Sequence, residues 1–361
     1  MKLAALALAA LALPQAADDA VRARVATWRE LLELDLAAQV LEEGPAAVGQ
    51  EGSLARDGEA VFVVAGALFD AGRAREAEAL LDAARPVAAG ADWLDLARAR
   101  RALELDELER AVELASVADT SPPRARLADQ PEAWLLLGRA LERAGRDAEA
   151  RPCLERGHEL APLGPGAYGA LHALSQIALR ANQGQRAQEL VAAAAQVGQW
   201  RAYWRVRRLQ VRERPDDPLP RLGLAQLWMQ VGRHETALAE LDALLERSPD
   251  YAPGWFHRGE VERARGHAAG ARTSYDRALE LDGELSLARF NRAVLALREG
   301  RTAEARADLE RIVAGPQADD PKLLQAHLGL ARILHAAGEV DAARVRHARY
   351  AELGGREALV P

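Results

Sequence analysis

The stretch that decides the fold runs Pro131-Glu132-Ala133-Trp134-Leu135-Leu136-Leu137-Gly138 and continues at helical spacing. It is followed by Leu141, Gly145, Ala150, Leu154, Gly157 and Pro162. Apolar residues three and four apart predict amphipathic helices. Gly145 suits the left-handed residue that ends a first helix, and Pro162 ends a second one. The stretch therefore predicts two helices joined by a short turn.

The same order of small and large residues recurs along the chain. Residues 218–251, 252–285 and 286–319 repeat it without a gap. Further copies occupy residues 58–91 and 324–357, and residues 165–198 fit the pattern more loosely. A fixed period of this length predicts a repeat architecture, in which each helix pair buries its apolar faces only by stacking on its neighbours.

These residues resemble the tetratricopeptide repeat, a pair of antiparallel helices with a 34-residue period. The residues that match the family's preferences directly in the first copy are Trp134, Leu137, Gly138, Ala150 and Pro162. The resemblance covers about four fifths of the chain. It implies an all-α fold, a right-handed superhelical solenoid of antiparallel helix pairs.

The composition agrees with a helical chain. The sequence holds 80 alanines, its aromatic share is 4%, and 45 of its 47 basic residues are arginine. Strands favour β-branched and aromatic residues, so this composition argues against a large sheet. Many alanines, such as Ala237, Ala271 and Ala305, recur where the resemblance places a helix crossing, which explains the need for small side chains. We interpret the arginines as residues of solvent-facing surfaces.

Net charge and cysteine content narrow the function classes. With a net charge of −7, the chain lacks the excess of basic residues that is typical of nucleic-acid-binding proteins. Cys153 is the only cysteine, which excludes an internal disulfide. It falls within an amphipathic helix, where a buried inert thiol is expected.

Residues 1–17 have the layout of a secretory signal peptide, with Lys2, an apolar run and small residues before Asp18. An alternative interpretation is an alanine-rich first helix of the solenoid. The apolar run is too short to span a bilayer as an anchor. We therefore expect export to the periplasm or the medium and no membrane insertion after removal of the leader.

The remaining chain divides at its proline- and glycine-bearing stretches. Gly44-Pro45 and Gly52-Ser53 predict a loop, and Pro122-Pro123 predicts a linker. The predicted organisation is a signal peptide at 1–17, an N-terminal helix and loop at 18–57, N-terminal helix pairs at 58–118, a linker at 119–130, central repeats at 131–198, an extra helix and turn at 199–217, and a C-terminal array at 218–357.

Motifs of catalysis and metal binding are weak. Gly164–Gly169 matches the glycine spacing of a dinucleotide loop, but it follows a helix in a chain with no credible strand, so a repeat-junction turn is predicted. His234-Glu235 begins like a zinc motif but lacks the second histidine. His327, His335 and His347 are expected to be solvated or to line a groove. We predict no catalytic residue, no metal and no cofactor.

The segment 200–212 mixes tryptophans with arginines. Tyr203, Val206 and Gln210 fall on one helical face, and we interpret this face as core with solvated arginines around it. An acidic protein partner and, less well supported by the net charge, nucleic acid are alternatives.

In tetratricopeptide arrays the first helices line a concave groove, so the resemblance also implies ligand-binding positions. They are Gln226, Met229, Phe256, His257, Glu260, Arg263, Phe290, Asn291, Arg298, Arg332 and His335, with Gln230 and Gln325 beside them. Phe256 and Phe290 suit anchors of an extended peptide. The alternative is that both pack between repeats. Asn291 matches the family's carboxylate-binding pattern, but the lysines of that pattern are absent.

The sequence thus predicts a non-enzymatic adaptor that binds a protein or peptide in its groove. An accessory subunit of a cell-envelope enzyme or of a secretion or assembly complex is the alternative. An enzyme with an unrecognised site is a third possibility. The alanine and arginine content indicates a bacterial source with a GC-rich genome.

Overall fold

A computed structural model of the chain describes residues 19–34, 36–49, 54, 56–85, 91–117, 120–123 and 127–359. The signal peptide predicted at 1–17 lies outside these residues. The chain forms two compact units, Met1–Arg205 and Val206–Pro361. The boundary between them falls within one long helix, whereas the linker predicted at 119–130 lies inside the first unit.

The first unit consists of helices and one very short strand ladder. Its helices are α1 (residues 19–33), α2 (Ala37–Gly49), α3 (Gly58–Asp70), α4 (Ala74–Ala84), α5 (Ala91–Glu104), α6 (Leu108–Ala115), α7 (Pro131–Arg143), α8 (Asp147–Leu160), α9 (Ala167–Arg180) and the first part of α10 (Gly184–Glu213). Strands β1 (Ser116–Val117) and β2 (Thr120–Pro123) pair antiparallel between α6 and α7. The prediction of no strand is therefore wrong for these few residues.

The second unit holds the end of α10 and four regular helix pairs. The helices are α11 (Pro218–Gln230), α12 (His234–Arg247), α13 (Ala252–Ala264), α14 (Ala268–Leu281), α15 (Ser286–Arg298), α16 (Thr302–Ala314), α17 (Leu324–Ala336) and α18 (Val340–Glu352), with a 3₁₀ turn at Pro321–Leu323. Consecutive helices pack as pairs, and each second helix contacts the first helix of the next pair. The predicted all-α fold of helix pairs is confirmed.

Small residues let the two helices of each pair approach closely. A Cβ added to Gly138 would lie 2.8 Å from Cγ of Leu154, and one added to Gly259 would lie 2.5 Å from the ring of Tyr275. The alanines at the matching place on the second helices have no exposed surface. They are Ala77, Ala150, Ala237, Ala271, Ala305 and Ala343. The alanine excess thus serves the helix crossings.

The first helix of each regular pair ends on a glycine with a positive φ. Gly145 has φ 75° and Gly232 has φ 76°, a region that favours glycine because it has no Cβ. In the irregular pairs Asp106 and Asn182 take this place with φ 65° and 57°. Asp and Asn tolerate the left-handed region better than other residues, so the turn survives without glycine.

Many arginines connect neighbouring helix pairs. The interpretation of the arginines as solvent-facing residues does not include these contacts. Arg292 of α15 contacts Asp276 of α14 at 2.7 Å and Asp308 of α16 at 2.6 Å. Arg258 holds the equivalent place on α13, where it contacts Asp242 and Ser274. Paired carboxylates raise the pKa of Arg292, so its guanidinium stays charged. These contacts bridge α13 and α15 to the second helices on both sides of them.

Two predicted boundaries are wrong. Gly44 and Pro45 lie within α2 rather than in a loop, because Gly44 packs against Val64 of α3, and an added Cβ would lie 2.9 Å from that side chain. The helix continues through Pro45 with one backbone hydrogen bond fewer. The extra helix predicted at 199–217 is the continuation of α10 to Glu213, since no proline interrupts residues 184–213.

Cys153 lies in the core of the first unit on α8. Its side chain has no exposed surface. Burial raises the pKa of the thiol to about 11, so it remains protonated at neutral pH. The prediction of a buried thiol is confirmed.

We expect Ala271→Leu to lower the free energy of unfolding by about 1–3 kcal/mol, because the added atoms overfill the crossing of α13 and α14. Urea unfolding followed by circular dichroism measures the change. Ala269→Leu is the matched control, because Ala269 is exposed on the same helix. Equal stability of the two variants would show that the crossing has been placed wrongly.

We expect Cys153 to react with a thiol reagent at pH 8 at least about 100-fold more slowly in the folded protein than in guanidinium chloride, because the reactive species is the thiolate. The rate should rise as the pH approaches 11. The measurement is the time course of labelling by mass spectrometry. Equal rates in the folded and unfolded chain would contradict the burial of this thiol.

Candidate functional site

The groove positions predicted from the sequence lie on the first helices of the four pairs of the second unit. Gln226 and Met229 belong to α11. The α13 helix carries Phe256, His257, Glu260 and Arg263, the α15 helix carries Phe290, Asn291 and Arg298, and the α17 helix carries Arg332 and His335. The structure brings some of these residues together in two local groups, and the remaining ones lie apart from both groups.

The first group joins α11 to α13. Nε2 of Gln226 donates to Nε2 of His257 at 3.0 Å. This arrangement puts the ring proton of His257 on Nδ1, which lies 3.0 Å from Oε2 of Glu260. The three side chains form a polar row across two helix pairs, and each is partly open to solvent.

The second group surrounds Tyr275, which the sequence did not assign to the groove. Phe256 lies with its ring centroid 6.2 Å from that of Tyr275 and 4.9 Å from that of His257. Burial raises the pKa of Tyr275 to about 12, and Arg263 and Asn291 act on its hydroxyl in the opposite direction. The half-buried ring of Phe256 thus packs near a buried tyrosine whose hydroxyl interacts with Arg263 and with Asn291 of the next pair. Such a set can hold both a side chain and a polar backbone group.

Both candidate anchor residues also contribute to packing. Phe256 packs against the cluster that contains Ala271 and Tyr275, and Phe290 packs against the cluster that contains Ala293 and Leu330. Each phenylalanine remains half-buried rather than fully enclosed. The two interpretations made from the sequence, an anchor for a peptide and packing between repeats, are therefore compatible, because each ring is partly packed and partly open.

The remaining groove candidates do not join these groups. Met229 packs against the cluster around Ala237, and Arg298 is exposed near the end of α15. His335 is half-buried near the end of α17. Arg332 forms an ion pair with Glu357, which lies beyond the last helix, at 3.0 Å.

The first unit contains a cavity of about 470 Å³ that the sequence did not predict. Phe62, Leu96 and Leu135 supply apolar walls, while Glu33 and Arg139 supply charge. Burial raises the pKa of Glu33, so its carboxyl gains a proton more readily than usual. The cavity depends on α1 lying against α5 and α7, and no motif in the sequence indicates that contact.

The motifs considered for chemistry are parts of the scaffold. Gly164-Pro165-Gly166 lines the rim of this cavity in the turn between α8 and α9, as the prediction of a repeat-junction turn requires. His234 is half-buried and Glu235 is exposed in the first turn of α12. Over the residues that the structure describes, no group of three or more histidine, cysteine or acidic residues is placed to hold a metal.

Two further interpretations need correction. His327 is buried and its Nε2 donates to the carbonyl oxygen of Ala318 at 3.0 Å, so it is neither solvated nor groove-lining. Tyr203 and Val206 are 39% and 54% exposed, so the face interpreted as core is largely open. The buried residue near the end of that helix is Val211, because the continuous helix α10 sets a different packing face.

None of the described helices combines the length and the apolar character that a membrane-spanning segment needs.

Comparison with known proteins identifies relatives of limited coverage. The chain is 29% identical over 299 residues to Protein FlbA of Caulobacter vibrioides, which covers 82% of this chain and 46% of FlbA. It is 34% identical over 64 residues to a TPR repeat-containing protein of Pseudomonas aeruginosa, which covers 18% of this chain and 61% of that protein. The chain thus spans less than two thirds of either relative.

Among solved structures, the crystal structure of MamA is similar at a TM-score of 0.36 and 17% identity, covering 47% of this chain and 92% of MamA. A tetratricopeptide-repeat family model matches residues 131–177, and a second such model matches residues 222–286 and 256–321. Residues 131–177 and 222–321 of this chain are therefore tetratricopeptide repeats.

Proposed function

We propose that this chain is a non-enzymatic interaction scaffold that binds an extended segment of a partner protein along α11, α13 and α15. The repeats supply a stack of first helices, and adaptor function is typical of such repeats. The chain matches only part of its curated relatives, so their partners are not assigned to it. We therefore describe the partner by its chemistry alone.

The observation that carries the proposal is the group around Tyr275. Phe256 is half-buried and its ring centroid lies 6.2 Å from that of Tyr275, whose hydroxyl interacts with the cation of Arg263 and the amide of Asn291. Aromatic and arginine side chains are the usual anchors of protein interfaces. The polar row of Gln226, His257 and Glu260 continues the same surface onto α11.

The chemistry of this surface favours an extended peptide as the ligand. An extended backbone exposes both N–H and C=O groups, which cannot pair with each other as they do in a helix. The amides of Gln226 and Asn291 each donate and accept, so they suit both kinds of backbone group. Phe256 then offers a place for an apolar side chain of the bound segment.

We expect the double variant Phe256→Ala/Phe290→Ala to lose its partner in a pull-down from the native cell envelope, because both half-buried rings are removed. Asn291→Asp with Arg263→Glu is a second test that leaves the apolar cores intact. Val345→Ala is the control, since Val345 is 65% exposed on α18, away from the groove helices. A partner recovered in fixed stoichiometry would favour an accessory subunit.

Recovery of every partner at wild-type levels by both groove variants would contradict the proposal. Circular dichroism and thermal unfolding of each variant separate a lost contact from a lost fold. Loss by the phenylalanine variant alone, with a lowered melting temperature, would identify the rings as packing residues only.

We also propose export through a leader at residues 1–17, which rests on the charged start, the apolar run and the small residues that follow. N-terminal sequencing of the protein recovered from the native host is the measurement. The expected result is a mature chain that starts near Asp18. A chain that retains Met1 in the cytosolic fraction would contradict export.

A further inference from the structure

The residues that follow α18 turn back onto the surface of the last helix pair. Gly354 has φ 97°, a conformation that glycine adopts readily. The amide of Gly355 donates to the carbonyl oxygen of Tyr350 at 2.9 Å. A Cβ added to Gly355 would lie 2.2 Å from the ring of Tyr350, so the backbone passes directly over that ring. The two glycines therefore allow a sharp return that other residues would oppose.

Glu357 is the polar anchor of the returning segment. Its carboxylate lies 3.0 Å from the guanidinium of Arg332, and Gln325 donates to it at 3.3 Å. Nε2 of His347 donates to the carbonyl oxygen of Glu357 at 2.9 Å. The side chain and the backbone carbonyl of Glu357 thus both accept hydrogen bonds from the last helix pair, as those of a bound peptide do.

Leu359 is the apolar anchor of the same segment. It packs against the cluster of α15, α16 and α17 residues that includes Leu330, and Phe290 packs against that cluster as well. Glu357 and Leu359 are two residues apart, which is the spacing of side chains that share one side of an extended chain. An acidic and an aliphatic side chain thus contact one face of the last pair together.

The occupied surface coincides with groove positions predicted from the sequence. The sequence predicts that Arg332 and Gln325 face a ligand, and in the structure each of them contacts Glu357. The Arg332–Glu357 pair is half exposed, and an exposed ion pair of this kind contributes little stability. The segment is therefore held by contacts that another acidic segment can replace.

We propose that residues 356–359 act as an internal ligand of the groove, and that the partner is an extended acidic segment with a carboxylate two residues before an aliphatic side chain. This inference rests on the proposed function, because it assigns the chemistry of a ligand to the same row of first helices. The partner and residues 356–359 compete for Arg332, Gln325 and the apolar cluster that includes Leu330.

Competition with a tethered segment has a measurable consequence. A segment joined to its site by a short connection has an effective concentration in the millimolar range, so it reduces the apparent affinity of a free competitor. Releasing the segment should restore the intrinsic affinity of the site.

The test uses the full chain and a fluorescein-labelled peptide with the sequence of residues 353–361. The release variant is Glu357→Lys/Leu359→Asp, in which the segment is repelled from Arg332 and loses its apolar contact. By fluorescence anisotropy we expect the release variant to bind the peptide at least tenfold more tightly than the wild-type chain. Adding Arg332→Glu should abolish this binding, and a peptide with arginine in place of glutamate should restore it.

Arg344→Glu is the control, because Arg344 is exposed on α18 and pairs with Asp341 rather than with the segment. Equal binding by the wild-type chain and the release variant, no binding by the release variant, or an Arg332→Glu variant without effect would each overturn the inference. If the segment only covers the last pair, the release variant should be less stable than the wild-type chain and should bind the peptide no more tightly.

The two proposals fail separately. Loss of the partner in the groove variants of α13 and α15, combined with no peptide binding by the release variant, would reject the internal ligand and retain the scaffold. Peptide binding that depends on Arg332, combined with unchanged partner capture by the groove variants, would retain the internal ligand and reject the proposed groove.

Discussion

The close approach of the two helices in each pair is the constraint on which the structure depends. It is made possible by residues without bulk, such as Gly138 against Leu154, Gly259 against Tyr275, and Ala271 with no exposed surface. Because the pair is tight, its outer faces remain at a fixed angle and can each receive a neighbour. The row of first helices that forms the candidate groove follows from this geometry.

Arginine supplies the second kind of contact between pairs. Arg292 and Arg258 occupy equivalent places and each reaches two second helices, and Arg272 contacts Glu304 one pair further along at 2.7 Å. A guanidinium suits this task because it is planar and donates in several directions at once. The more exposed of these pairs, such as Arg272 with Glu304, contribute little stability individually, whereas Asp308 opposite Arg292 is buried.

The register of small residues predicts the helix pairs, because crossings and helix ends demand glycine, alanine and proline at set places. The same signal is ambiguous when glycine serves packing, and for that reason Gly44 was interpreted as a loop residue. The site was predicted only in part. Gln226, His257 and Asn291 follow from their places on first helices, whereas the buried Tyr275 and the half-exposed Glu357 contact residues of the predicted groove from other elements. Contacts between distant segments leave no periodic pattern.

The end of the stack connects stability with binding. Each helix pair offers its apolar face to the next pair, and Leu359 of the segment after α18 packs against the apolar cluster that includes Leu330. The segment after α18 contacts Arg332, which is a predicted groove position, and also the apolar cluster that includes Leu330. The same contacts therefore serve both stability and binding. Any ligand that displaces the segment must then cover the same apolar surface itself, because exposing that surface has a cost in free energy. On this argument an acidic group alone is a poor ligand, and the aliphatic side chain two residues later is required for displacement.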